Sequence, residues 1–117
     1  MGEGNAVTVA DVVGKLQLKV LAGGERLERG VTGVQVCDLL SHVMARGQAG
    51  QLWITIQVHP NVVAVAALGG MAAIVVADGL LPGEDTINHA NDEGMPLLAF
   101  AGSAFEVAGR LYAMGLR

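Results

Sequence analysis

The sequence predicts a single small α/β domain: an N-terminal helix and two short strands, followed by three parallel β-α units. Three observations carry this. From Leu52 onward apolar, β-branched runs alternate with helix-like runs, the pattern of strands joined by crossover helices. Pro60, Glu84-Asp85 and Ser103 stand where helices would begin, and Gly94 where one would end, as cap and dipole chemistry prefer. The length of 117 residues suits one core without a linker.

Taken in order, residues 1–6 read as a flexible N-terminus and 7–117 as the domain. Thr8 is placed to cap a helix through Leu16, with Asp11 in its first turn. Val9, Val12, Val13 and Leu16 recur at i, i+3, i+4 and i+7, giving that helix one apolar face. Leu18–Leu21 alternates like a strand, and Ala22-Gly23-Gly24-Glu25 reads as a turn. Val31–Val36 is a second strand in a hairpin-like pattern. A short helix is expected over Asp38–Ala45 and a loop over Arg46–Gly50.

The centre of the chain is Leu52–Gln57, a buried strand holding the lone tryptophan, Trp53. It turns polar at Gln57-Val58-His59, and Pro60 then opens a helix to Leu68, because proline's missing N–H has no partner to lose in a first turn. That helix shows no polar stripe, so it is expected to be buried all round. One small sheet covers one side, and the other must meet another helix or a second subunit, of which the second subunit is the expectation. Strand Ala73–Ala77, helix Glu84–Glu93 and strand Pro96–Phe100 follow. The last helix opens on the capping box Ser103-Ala104-Phe105-Glu106, with Phe105, Ala108, Leu111 and Tyr112 as its expected buried face.

Composition excludes several functions. The net charge is −4, the basic residues are scattered and aromatics are 3% of the chain. Nucleic-acid binding, which needs a positive stripe or stacking platforms, is not expected. Hydrophobic content is 52% and mean hydropathy +0.50, yet no uninterrupted apolar run reaches the ~18 residues of a membrane span. The N-terminus lacks the layout of a signal peptide. A lone Cys37 excludes an intrachain disulfide and suits a reducing, cytoplasmic setting.

Three parallel strands place Gln57-Val58-His59, Asp78-Gly79 and Gly102-Ser103 on one sheet edge, where open α/β folds keep their ligands. Amide groups at the helix starts near Asn61 and Ser103 are candidates to hold an anion there. The plain alternative is that Ser103 caps, Asp78-Gly79 turns and His59 is a surface residue. Asp38 and His42 have the i, i+4 spacing of two ligands on one helix face, but a metal site needs three or four. No metal and no cofactor is expected. Cys37 has no flanking base, Ser41 and Ser103 lack a nucleophile elbow, and no phosphate-cradle motif occurs. Catalysis would require His59, Asp38 and Ser41 or Cys37 in one cleft, and no catalytic residue is assigned.

Leu27-Glu28-Arg29-Gly30-Val31-Thr32-Gly33, then Val36-Cys37-Asp38-Leu39-Leu40-Ser41 and Trp53-Ile54-Thr55-Ile56-Gln57-Val58-His59, resemble a DRTGG domain over nearly the whole chain. Glu28 stands in place of the motif's aspartate, Gly30 precedes Val31-Thr32-Gly33, and Val34 replaces a second glycine. The resemblance implies a fold like the N-terminal domain of HPr kinase/phosphorylase, without catalytic activity of its own. Such domains also accompany phosphotransacetylase, and in certain pyrophosphatases lie between CBS domains that carry the nucleotide. It further implies a regulatory or dimerising module; the all-apolar helix points to a homodimer, and the Gln57–Asn61 edge to a small anionic or nucleotide-like ligand. Stand-alone copies lie near hydrogenase and sensor-kinase genes of anaerobic bacteria, which makes a kinase or hydrogenase protein the implied partner. An interaction module without a small ligand is the alternative. On that pattern the site draws on Arg29, Thr32, Gly33, Asp38, Ser41, Thr55, Gln57, His59 and Asn61.

Overall fold

In the computed structural model, which describes residues 6–117, helix α1 spans Val9–Leu16 and opens on a reciprocal capping box. The Asp11 N–H donates to Thr8 Oγ1 at 3.1 Å and the Thr8 N–H to Asp11 Oδ2 at 2.9 Å. Two of the helix's orphan amides are satisfied in this way. Val9, Val12 and Leu16 are buried, the apolar face that their spacing predicts. The expected flexible segment 1–6 lies, apart from Ala6, outside the described residues.

Strand β1 (Lys19–Ala22) leads into a 3-10 turn over Gly24–Arg26, at the glycine pair expected to turn. Strand β2 (Gly33–Val36) does not fold back on β1. Between them the chain runs along the start of α1, where the Val9 and Ala10 N–H groups donate to the Arg29 and Leu27 carbonyls and the Val31 N–H to Val7. This crossing delivers β2 to the far edge of the sheet. Helix α2 (Leu40–Arg46), strand β3 (Gln51–Thr55), helix α3 (Asn61–Leu68), strand β4 (Ala73–Val76), helix α4 (Glu84–Glu93), strand β5 (Leu97–Ala99) and helix α5 (Ala104–Ala113) complete the alternation.

The five strands lie in the order β1-β5-β4-β3-β2. β2, β3, β4 and β5 are parallel to one another, and β1 is antiparallel to β5. The three expected β-α units are therefore present, and β2 with α2 joins them as a fourth. Strand pairing is chosen by distant partners, so the hairpin-like local pattern of the first two strands is not a guide to it.

Side chains alternate across the sheet and separate two apolar layers. Leu52, Ile54, Val75 and Leu98 meet Val9, Val12 and Leu16 of α1 and Val107 and Leu111 of α5. Trp53, Ile74, Val76 and Leu97 meet Val43 of α2, Val62 to Ala66 of α3 and Ala90 of α4. Two expectations change here. The middle helix α3 buries Val62, Val63, Val65 and Ala66 against its own chain, with α2 and α4 beside it, and only Asn61, Ala64 and Leu68 are exposed. Its lack of a polar face is thus answered within the chain. In α5 the buried pair is Val107 and Leu111, with Ala104 and Ala108 partly covered, whereas Phe105 is 89% exposed and Tyr112 is exposed. The helix begins at Ala104 directly after its Ser103 cap, and this phase points both aromatics outward.

Candidate functional site

The carboxyl ends of four parallel strands share one edge of the sheet, and the loops that leave them build a rim. After β2 come Cys37 and Asp38; after β3, Ile56, Gln57, Val58 and His59; after β4, Asp78 and Gly79; after β5, Phe100 to Ser103.

The Asp38 carboxylate is the organising group. Its Oδ1 accepts from the Thr55 hydroxyl and from the Ile56 N–H, each at 2.8 Å, while its carbonyl accepts from Gln57 Nε2 at 3.1 Å. Thr55, buried at the strand end, also accepts the Gln57 N–H at 3.1 Å. Beside it the Trp53 indole N–H donates to the Cys37 carbonyl at 2.7 Å, which settles the polar handle of a fully buried ring. Asp38 was expected inside α2, on one face with His42. The helix instead begins at Leu40, so Asp38 belongs to the strand-to-helix loop and the i, i+4 pairing with His42 dissolves.

His59 is exposed, and its Nδ1 accepts the Asn61 N–H at 3.1 Å. The next two amides of α3 donate to the His59 and Pro60 carbonyls, each at 3.0 Å. The start of α3 was expected to offer its amides to an anion, and these bonds engage them internally. Ser103 caps α5 by accepting the Glu106 N–H at 3.0 Å, but the expected box forms only by half: the Glu106 carboxylate turns to Arg110 and does not return a bond to the Ser103 N–H. Asp78 adopts a left-handed backbone, φ 68°, next to Gly79 at φ 69°, and its N–H donates to the Gly102 carbonyl at 2.7 Å. This turn pins the ends of β4 and β5 together.

The structure thus brings Asp38, Thr55, Gln57, His59, Asn61, Asp78 and Ser103 to one edge, with Ser41 in the first turn of α2 nearby. Arg29 and Thr32 it does not bring there. Both precede β2 and lie at the opposite, amino end of the sheet. Thr32 Oγ1 donates to the Ala49 carbonyl at 3.1 Å, and its N–H to the Gly50 carbonyl at 2.9 Å. Gly50 sits at φ 85°, and a Cβ on it would stand 2.6 Å from Thr32 Oγ1. The Thr32-Gly33 motif therefore acts as a packing clasp between the β2 and β3 entries.

Sequence reasoning missed two features of the rim. Thr86, buried in the first turn of α4, donates from Oγ1 to the Val58 carbonyl at 2.7 Å and ties α4 to the loop that carries His59. Six large apolar residues also stand exposed around this edge: Val36, Leu39, Ile56, Leu80, Leu81 and Phe105. The signal available for two of them was Leu80-Leu81 between an Asp-Gly turn and Pro82-Gly83, an apolar pair with no helix or strand to bury it. Charge at the rim is mainly negative. Asp38, Asp78, Glu84 and Asp85 are exposed there, while Lys19 lines a small recess of about 230 Å³ beside Gly79, Leu81 and Phe100.

Among the described residues no side-chain hydrogen bond joins Cys37, Ser41 or Ser103 to a histidine, and no group of three metal-ligating side chains forms. The Cys37 thiol instead faces the Leu39 carbonyl at 3.7 Å. No helix in this region is long and apolar enough to cross a membrane.

The fold and rim define a three-layer α/β domain built on a five-stranded mixed sheet. Known protein families and curated proteins give no match to the chain. Among solved structures, it resembles the crystal structure of the CBS and DRTGG domains of the regulatory region of Clostridium perfringens pyrophosphatase, complexed with its activator, diadenosine tetraphosphate. The TM-score is 0.75 at 16% identity, over 97% of this chain and 49% of that one. The chain thus spans about half of that structure, and the likeness is one of fold, in keeping with the DRTGG resemblance of its motifs.

Proposed function

We propose that this chain is a non-catalytic regulatory module that senses a nucleotide-like small molecule at its carboxyl rim and works as a homodimer. The observation that carries this reading is the rim itself. Its polar side chains hold one another in fixed hydrogen bonds, while apolar side chains stand exposed between them. Such a surface is suited to recognition and lacks the paired nucleophile and base that chemistry requires. The activator of the similar pyrophosphatase region supports the nucleotide class. The rim's carboxylates add a condition: the base and ribose lie against Ile56, Val36 and Leu39, and the phosphates approach with a divalent cation that offsets Asp38 and Asp78.

The test is a thermal-shift panel of adenosine, its mono-, di- and triphosphates and diadenosine tetraphosphate, each with and without magnesium. Binding to the native state raises the midpoint by mass action, about 2.7 kcal/mol of stabilisation at a hundredfold excess over Kd. A nucleotide that raises the midpoint of the wild type but not of Ile56→Asp supports the reading; a flat panel overturns it. A second reading, a module that docks a partner protein of a kinase or hydrogenase system without any small ligand, is favoured by Leu39, Leu80, Leu81 and Phe105. It gains from a flat panel together with a defined complex in a pull-down from the native host.

A further inference from the structure

Outside the rim, α1 and α5 lie side by side on one face of the sheet, and a groove of about 860 Å³ opens between them. That is within the range of small-molecule sites. Its wall is largely apolar, from Val7, Leu16, Ala113 and Met114, with Asp11, Lys15 and Arg110 also on it. Leu16 is buried, Val7 and Met114 are half-buried, and Asp11, Lys15, Arg110 and Ala113 are exposed, so Leu16, Val7 and Met114 line the depth and the charged side chains the mouth.

Two further observations bear on what fits. Gly14 lines the groove in mid-helix, and a Cβ on it would meet nothing within 4 Å. Alanine would hold the helix better there at no steric cost, so glycine keeps this wall low. The acidic neighbours are already engaged. Asp11 Oδ2 accepts the Thr8 N–H in the capping box, and Glu106 Oε2 takes a single Arg110 nitrogen at 2.8 Å. A guanidinium has five N–H donors, so Arg110 keeps others, and among the described residues the Lys15 ammonium forms no ion pair. In a chain of net charge −4, this is an apolar slot whose mouth carries Lys15 and Arg110 against the single lining carboxylate of Asp11.

We infer that the α1–α5 groove binds an organic monoanion with an apolar body, of the fatty-acid or arylcarboxylate class, its chain against Leu16 and Met114 and its carboxylate between Lys15 and Arg110. The site is separate from the rim and gives the module a second input. An amphipathic helix of another protein is the competing occupant.

The experiment uses the full chain with 8-anilinonaphthalene-1-sulfonate as fluorescent anion and decanoate and decylamine as competitors. Expected is a saturable one-to-one rise in emission on folded protein, reversed by decanoate and not by decylamine. Gly14→Phe, which fills the groove from an open position, abolishes the rise without lowering the thermal midpoint. Lys15→Gln and Arg110→Gln each weaken it about fivefold, the size of one exposed charge contact. The charge-reversed pair Lys15→Glu and Arg110→Glu removes decanoate competition and keeps the test decisive if Gly14→Phe folds poorly. Leu39→Glu, at the rim, leaves the rise unchanged, so failure here is separable from failure of the rim reading. No saturable rise, equal displacement by decylamine, or unchanged decanoate competition in the charge-reversed pair overturns the inference, the second result pointing to a merely greasy surface.

Discussion

At the scale of single residues, the rim is held by a few polar groups that each serve two partners. Thr55 is the clearest. Its hydroxyl donates to Asp38 and accepts from the Gln57 N–H, so Thr55→Val keeps the shape and deletes both bonds. The expected loss is about 1–2 kcal/mol, read as a lower urea midpoint with an unchanged slope. Gly23 makes a harsher case. It sits at φ 70°, and a Cβ there would overlap the Met95 carbonyl and the Pro96 nitrogen, both backbone. Its N–H also donates to Asn91 Oδ1 at 2.9 Å, a bond that any shift of this turn would break. Gly23→Ala combines an unfavourable backbone region with overlap that no rotamer relieves, and about 3 kcal/mol of destabilisation is expected by denaturant titration. The polar residues of the rim were legible in the sequence because they gather after strand ends. Their roles were not, since a hydrogen bond such as Asp38 to Thr55 joins loops that no local spacing connects.

At the scale of elements, the helix ends marked by Thr8, Ser103 and Gly94 are legible because capping is local chemistry, whereas α2 opens on Leu39 with no side-chain cap, Asp38 being engaged by Thr55 and Ile56. Thr8 and Asp11, Ser103, and Gly94 at φ 65° occupy the positions that their side chains predict. Thr8→Ala removes one side of the α1 box and is expected to cost about 1 kcal/mol, which lowers the thermal midpoint by about 4 °C for a domain of this size. The loss should extend to the Leu27–Val31 crossing, whose carbonyls and amides bond to the start of α1, and hydrogen exchange at Val31 would report it. Where the reading turned on packing partners, it departed from the structure. In α5 the expected Leu111 is buried and Ala108 partly so, but Val107 takes the place expected of Phe105 and Tyr112. The companions of α3 were likewise out of reach, because α2 and α4 are chosen by topology and not by the helix's own residues.

At the scale of the whole molecule, the proposed homodimer has to rest on a surface other than α3. The apolar rim is the best such surface, and residues Leu39 and Leu81, 64% and 62% exposed, are its natural probes. Light scattering at micromolar concentration is expected to give twice the chain mass for the wild type. Leu39→Glu with Leu81→Glu, placing like charges on both sides of a twofold contact, should return the mass of one chain with an unchanged circular dichroism spectrum. A wild type that is already monomeric removes the dimer from the proposal.

The antiparallel edge has a consequence in time. Lys19 pairs with Ala99 and Val20 with Leu98, so β1 finds its partner strand only after the whole intervening alternation of strands and helices. Closing so long a loop costs entropy before any contact repays it, and folds dominated by distant pairings are slow. A chain truncated before Leu97 should leave β1 unpaired and open to proteases, and extension through β5 and α5 should bring protection of β1 and β5 in one step.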